Sequence, residues 1–315
     1  MRKFNEFIDK FLNGRNREVR RIDISIPPEG EKIFIEQEKK RKIPYVNIIL
    51  FLITIFTTLI AGAKMEGADI ISDFTSLKMG IPFSFTLISI LGFHELGHFV
   101  VSRLHGVRAT LPYFIPAPPP FFIGTFGAFI KVKSPIYNKK TLLDIGAAGP
   151  IAGFLIAVPS IIWGLQISEV KEVMPGYGFR LGDSLLLYVA ERFIYGNIPP
   201  GYDIYLGSVA FAGFIGLLVT AFNLMPIGQL DGGHIAYALF GSKQKIIAKI
   251  FFLSLLVLMF FWFGWLIWAF IVYAIGFRHP PTAYDFVDID KKRKIIGYIC
   301  IGIFILCFTP IPFSF

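Results

Sequence analysis

The stretch "LGFHELGHFV" (91–100) places His94, Glu95 and His98 in a run whose other residues suit a lipid-facing helix. On a helix, residues four apart share a face one turn apart. His94 and His98 can therefore hold one zinc ion through neutral imidazole nitrogens. Glu95 is next in sequence and can lean towards a water on the metal and take its proton. Ionisable groups inside an apolar span are costly and usually mark function. The plainer alternative is three polar residues that satisfy one another within a helix bundle.

Two histidines do not make a tight zinc site, so a third ligand is sought among the acids and histidines at the same depth. The apolar run 206–226 leads into "NLMPIGQLDGGH" (223–234), where Pro226 and Gly228 should break the helix. Asp231 is then presented on a loop at the membrane side where His98 lies. A carboxylate oxygen completes three protein ligands and leaves a fourth position for water, the arrangement of hydrolytic zinc sites.

The elements that must position these groups are membrane helices. The chain has 315 residues, 54% of them hydrophobic, with 35 Phe and a mean hydropathy of +0.63. A water-soluble domain would sit nearer about 45–50% apolar. Apolar runs fall near 46–62, 80–104, 145–166, 206–226, 247–277 and 295–313. Each is judged against the roughly 20 residues of helix that cross the hydrocarbon core. The fold expected is an all-α polytopic membrane protein of about six to seven transmembrane helices, with a small membrane-associated β-hairpin. Residues 1–44 read as a separate aqueous segment and 45–315 as the membrane domain. The charged N-terminus precedes the first apolar run by too far to be a signal peptide, so that run stays as an anchor. Cys300 and Cys307 lie together in the last run and read as packing residues; they cannot build a disulfide framework.

Lysine and arginine set the sidedness. Residues 1–44 carry twelve, so the N-terminus is expected inside. The loops 103–144, 229–249 and 278–294 are also basic, while 63–79 and 167–205 hold more acids than bases and read as outside. If 229–249 and 278–294 are both inside, run 247–277 must enter and leave one face. That favours two short helices or a re-entrant hairpin, with Gly264 allowing the break. The net charge of +9 clusters beside the apolar runs, which points to topology and anionic headgroups and away from nucleic acid.

Three further stretches stand out. "LPYFIPAPPPFF" (111–122) is too proline-rich for a helix, and "IGTFGAFIKVKS" (123–134) is β-like. Together they read either as a hairpin filling a gap or as an edge that pairs with an extended substrate. "GAAGPIAGF" (146–154), dense in small residues, reads as a close helix–helix contact. His234, after the double glycine, reads either as a partner that supports the metal ligands or as a polar residue early in a helix, and His105 and His279 read as loop residues.

"HELGH" followed in a later span by "NLMPIGQLDG" resembles the site-2 protease family of intramembrane zinc metalloproteases, in its archaeal, cyanobacterial and plastid-like subgroup. "GPIAG" (149–153), "LDGGHI" (230–235) and "RHPPT" (278–282) support the resemblance, which covers roughly residues 46–313. It implies one zinc per chain held by His94, His98 and Asp231, with Glu95 as general base. It also implies that Asn223 orients substrate or stabilises the oxyanion. The expected function is hydrolysis of peptide bonds within or near the transmembrane segment of a single-span substrate. The expected location is a cell membrane, with the N-terminus and the active site on the cytoplasmic side.

Rival readings fit less well. A membrane zinc peptidase of the prenyl-protein-processing type takes a Glu as third ligand, and after residue 98 the glutamates are Glu169, Glu172 and Glu191, all on the expected outer side. A metal transporter would repeat polar residues across several spans, whereas here they concentrate at one level. An inactive scaffold would have lost ligands that this chain keeps.

Overall fold

The structure is a computed structural model that describes residues 43–173 and 180–314. The expected N-terminal aqueous segment lies outside them, apart from its last two residues.

The first helix, α1 (Tyr45–Met65), has 21 residues, about 31 Å of rise, which matches a hydrocarbon core of roughly 30 Å. Its buried polar side chains are all paired. Thr54 and Thr58 donate to carbonyls one turn back, Thr58 also meets Ser84 Oγ at 2.7 Å, and Asn47 donates to the carbonyls of Leu111 and Pro112 at 2.8 and 2.9 Å. A 3₁₀ turn (Phe74–Gly80), capped by the Asp73 side chain, feeds α2 (Ile81–Leu104). The buried stripe of α2 runs Phe83, Leu87, Leu91, His94, His98 and Ser102, so the histidines face the bundle and not lipid.

The proline-rich stretch forms the expected hairpin. Strand β1 (Tyr113–Pro116) pairs antiparallel with β2 (Thr125–Phe129). Gly124, at φ +76°, sits where a Cβ would meet the Thr57 carbonyl oxygen at 2.5 Å, and Thr57 donates to the Gly124 carbonyl at 2.6 Å. The hairpin is thereby fastened to α1.

Helix α3 (Lys139–Gln166) starts at Asn138, whose side chain accepts from the Thr141 N–H. It is the central helix and packs against α2, α5 and α6. Next come β3 (Glu169–Glu172), β4 (Arg180–Leu181), α4 (Leu185–Tyr195) and β5 (Tyr202–Tyr205). Helix α5 (Ser208–Asn223) is apolar all round and almost wholly buried, as a core helix should be. Then follow α6 (Asp231–Phe240), α7 (Gln244–Leu258), α8 (Gly264–Ile275), α9 (Lys291–Cys307) and β6 (Phe313–Ser314).

Three helices among the described residues are long and apolar enough to cross a membrane: Tyr45–Met65, the continuous Phe74–Leu104, and Lys139–Gln166. The other apolar runs fold as shorter helices, so the expected six or seven full spans are not all matched by length. Run 247–277 does divide, as its flanking charges required. The break falls at Met259–Phe263, and a Cβ on Gly264 would strike the Trp262 ring at 2.2 Å. Phe252 of α7 meets Tyr273 and Phe277, so α8 folds back along α7.

The basic loops gather at one end. Arg293 makes a forked pair with Asp144 (2.7 and 2.9 Å), His105 meets Asp144 at 2.9 Å, and Lys139 meets Asp285 at 3.3 Å. The C-terminal stretch joins the expected outer segment, where Arg180 pairs with Ser314 and Leu181 with Phe313.

In α4, burial and the charges of Asp183 and Asp203 push Glu191 up to about 8 from its ordinary 4.5. The folded protein then keeps a proton that the unfolded chain has released, so stability falls as pH rises between about 5 and 8. The thermal midpoint in detergent should decline over that window, and Glu191→Gln should flatten the decline. An equal slope in the variant would contradict this assignment.

Candidate metal centre

Three elements deliver the site. Helix α2 supplies His94, Glu95 and His98 from its inward stripe. Helix α5 ends at Asn223. The turn that follows, with Gly228 at φ +52°, folds back beneath the start of α6 and sets Asp231 as its first residue. The two glycines after Asp231 make this possible. A Cβ on Gly232 would lie 1.9 Å from the Leu224 carbonyl oxygen, and one on Gly233 would lie 2.4 Å from that of Gly228.

The result is a triangle of donor atoms. Asp231 Oδ2 lies 3.3 Å from His94 Nε2 and 3.2 Å from His98 Nε2, and the two Nε2 atoms are 3.2 Å apart. Zinc binds such donors at about 2.0–2.1 Å in tetrahedral geometry, which sets neighbouring ligand atoms about 3.3–3.4 Å apart. The triangle therefore fits one face of a zinc coordination tetrahedron. Among the described residues it is the one group of three His, Cys, Asp or Glu side chains so arranged. His98 Nδ1 donates to the Ile145 carbonyl at 2.8 Å, which fixes the tautomer that leaves Nε2 free to bind a metal.

Glu95 stands beside the triangle, not in it. Its carboxylate lies 4.0 Å from His94 Nε2 and is buried. Asn223 is half-buried, with Nδ2 3.3 Å from His94 Nε2. All five side chains singled out in the sequence thus meet at one place.

Sequence reading missed what makes room for them. The small-residue stretch is a helix contact, and it is shaped around the donor triangle itself. A Cβ on Gly149 would sit 2.0 Å from His98 Nε2, one of the three donor atoms; one on Gly153 would sit 3.2 Å from His94 Nδ1; and one on Gly146 would meet His234 at 2.9 Å. The signal was present as glycines spaced by three and four on α3, one helical face. Also missed was the pairing of His234 with His279, which the sequence gives no reason to join.

The pattern that defines Peptidase family M50 matches residues 82–199 and 202–263. The probable zinc metalloprotease EGY2, chloroplastic, of Arabidopsis thaliana is 28% identical over 84% of this chain and 48% of its own length. The probable zinc metalloprotease EGY1, chloroplastic, of Oryza sativa subsp. japonica is 31% identical over 62% of this chain and 38% of its own length. The probable zinc metallopeptidase EGY3, chloroplastic, of Arabidopsis thaliana is 27% identical over 75% and 44% respectively. The chain thus spans about half the length of these curated relatives or less. No solved structure matches it.

Gly149→Ala should displace His98 and cut zinc content to less than about a tenth of wild type, since misplaced ligands cost affinity steeply. Gly302→Ala, where a Cβ meets nothing within 4 Å, should keep full zinc. Metal analysis of the two purified variants checks this; wild-type zinc in Gly149→Ala would refute it.

Proposed function

Because this chain belongs to Peptidase family M50, the site-2 protease family, we propose that it is a zinc-dependent intramembrane endopeptidase. The observation that carries the reading is the donor triangle of His94, His98 and Asp231 beside a buried carboxylate. In this reading those three residues hold one zinc ion, Glu95 is the general base, and Asn223 stabilises charge on the substrate.

A zinc ion bound there supplies a Lewis acid and lowers the pKa of water. Glu95 accepts the proton of the attacking water and returns it to the departing amine. The Asn223 amide donates to the scissile carbonyl oxygen as that oxygen gains charge. The Ile145 carbonyl holds the His98 ring throughout.

The substrate is a single-span membrane protein. A transmembrane helix hides its peptide groups in intrahelical hydrogen bonds, so it must unwind before hydrolysis, and the extended segment then needs backbone partners. Strand β2 is suited to provide them: it pairs with β1 alone among the described strands, and it packs against α2, the helix that carries Glu95. The basic end of the bundle, where the loops carrying Asp144, Lys139 and Arg293 meet, faces the cytoplasm of a cell membrane.

Purified protein and a model single-span substrate test this directly. Glu95→Gln should keep full zinc and lose cleavage by at least about 10³-fold, whereas Asn223→Ala should keep zinc and lose about 10²–10³-fold in kcat. Cleavage by Glu95→Gln at the wild-type rate would refute the assignment.

A further inference from the structure

The stretches "LDGGHI" and "RHPPT" contribute two histidines that the proposed reaction does not use. His234 lies in the first turn of α6, three residues after Asp231, and His279 lies in the loop after α8. The structure joins them: His234 Nδ1 and His279 Nε2 are 2.7 Å apart. The donors can be assigned. His279 Nδ1 lies 2.6 Å from the Pro280 carbonyl, which can only accept, so Nδ1 carries the proton. His279 Nε2 is then an acceptor and takes the His234 Nδ1–H.

His279 is itself fixed on three sides. It is 5% exposed, the Tyr237 ring stacks on it with centroids 4.7 Å apart, and its backbone N–H donates to Gln244 Oε1 at 3.2 Å. Gln244 is wholly enclosed, and its Nε2 donates to the carbonyls of Pro226 and Phe277 at 3.3 and 3.2 Å. One glutamine thus ties together the loop that delivers Asp231, the start of α7 and the segment that carries His279. Opposite, Gly146 of α3 backs the same α6 turn, where a Cβ would meet His234 at 2.9 Å and the Asp231 carbonyl oxygen at 3.4 Å. The first turn of α6 is clamped between α3 and the His279 loop.

We propose that His234 and His279 are positioning residues for the metal centre: the pair pins the first turn of α6 to the 278–282 loop and so fixes Asp231 against His94 and His98. The inference rests on the zinc reading of the triangle. It explains why a loop sequence holds a buried histidine that touches no donor atom of that triangle.

The test uses the full chain in detergent, with zinc dissociation constants measured by chelator competition and thermal midpoints measured without metal. His234→Phe and His279→Phe should each weaken zinc binding by about 10- to 100-fold, the scale seen when groups supporting metal ligands are removed. The double variant should be no weaker than the weaker single, because the two act as one unit. Metal-free midpoints should match wild type, the visible spectrum of the cobalt(II)-loaded Phe variants should shift, and His279→Gln, which can still accept from His234, should recover most of the affinity. Wild-type affinity in both single variants overturns the proposal, as do losses that add in the double. Equal damage from Gln and Phe together with a lowered metal-free midpoint overturns it too, by reducing the pair to general stability. Because wild type is measured alongside, zinc binding by wild type with unchanged variants removes this inference and leaves the zinc reading standing.

Discussion

The close approach of α3 to the donor triangle is the constraint on which the rest of the site depends. Two imidazoles and a carboxylate must meet within 3.3 Å of one another, from α2 and the start of α6. Any side chain on the facing turns of α3 would occupy that space. Gly146, Gly149 and Gly153 leave it open, and Gly149 does so at a donor atom of the triangle, His98 Nε2. In lipid there is little hydrophobic drive between helices, so packing of small residues and interhelical hydrogen bonds must hold such contacts. The same glycines therefore serve helix association and the chemistry of the centre.

Backbone satisfaction is the second requirement. An unpaired amide in an apolar environment costs several kcal/mol, on the order of 2–7. The irregular segments answer it with side chains at their borders. Asn47 caps the carbonyls where the chain enters the hairpin, Thr57 takes the Gly124 carbonyl, and Gln244 takes those of Pro226 and Phe277. These three side chains allow non-helical chain, first the hairpin and then the turn bearing Asp231, to exist beside the donor triangle. A network of charged pairs sits at one end of the bundle, where Arg293, Asp144 and His105 join α9, α3 and the end of α2.

Much of this was legible in the sequence, and for identifiable reasons. The H-E-x-x-H spacing fixes two side chains on one face whatever surrounds them, and Pro226 with Gly228 announces the turn that presents Asp231. The basic flanks of run 247–277 favoured two short helices or a re-entrant hairpin over a single span, and the break falls just before Gly264. The proline-rich stretch excluded a helix and left a hairpin. Contacts between residues distant in sequence were not legible. Nothing in "RHPPT" tells that His279 is buried against His234, and nothing in Gln244 tells that it bridges two loops. Span number is not settled by composition: α5 is apolar enough for a membrane helix, yet it has 16 residues and is sheathed by protein. Composition cannot separate burial in protein from burial in lipid.

The central claim is that His94, His98 and Asp231 form one zinc centre. Zinc K-edge X-ray absorption on the purified wild-type protein, beside Asp231→Ala, tests it most directly. The account predicts about one zinc per chain in wild type, with two imidazole ligands and oxygen at about 2.0–2.1 Å, and loss of bound zinc in Asp231→Ala. A wild type without zinc, or an Asp231→Ala protein with the same metal content and the same absorption spectrum, would contradict it.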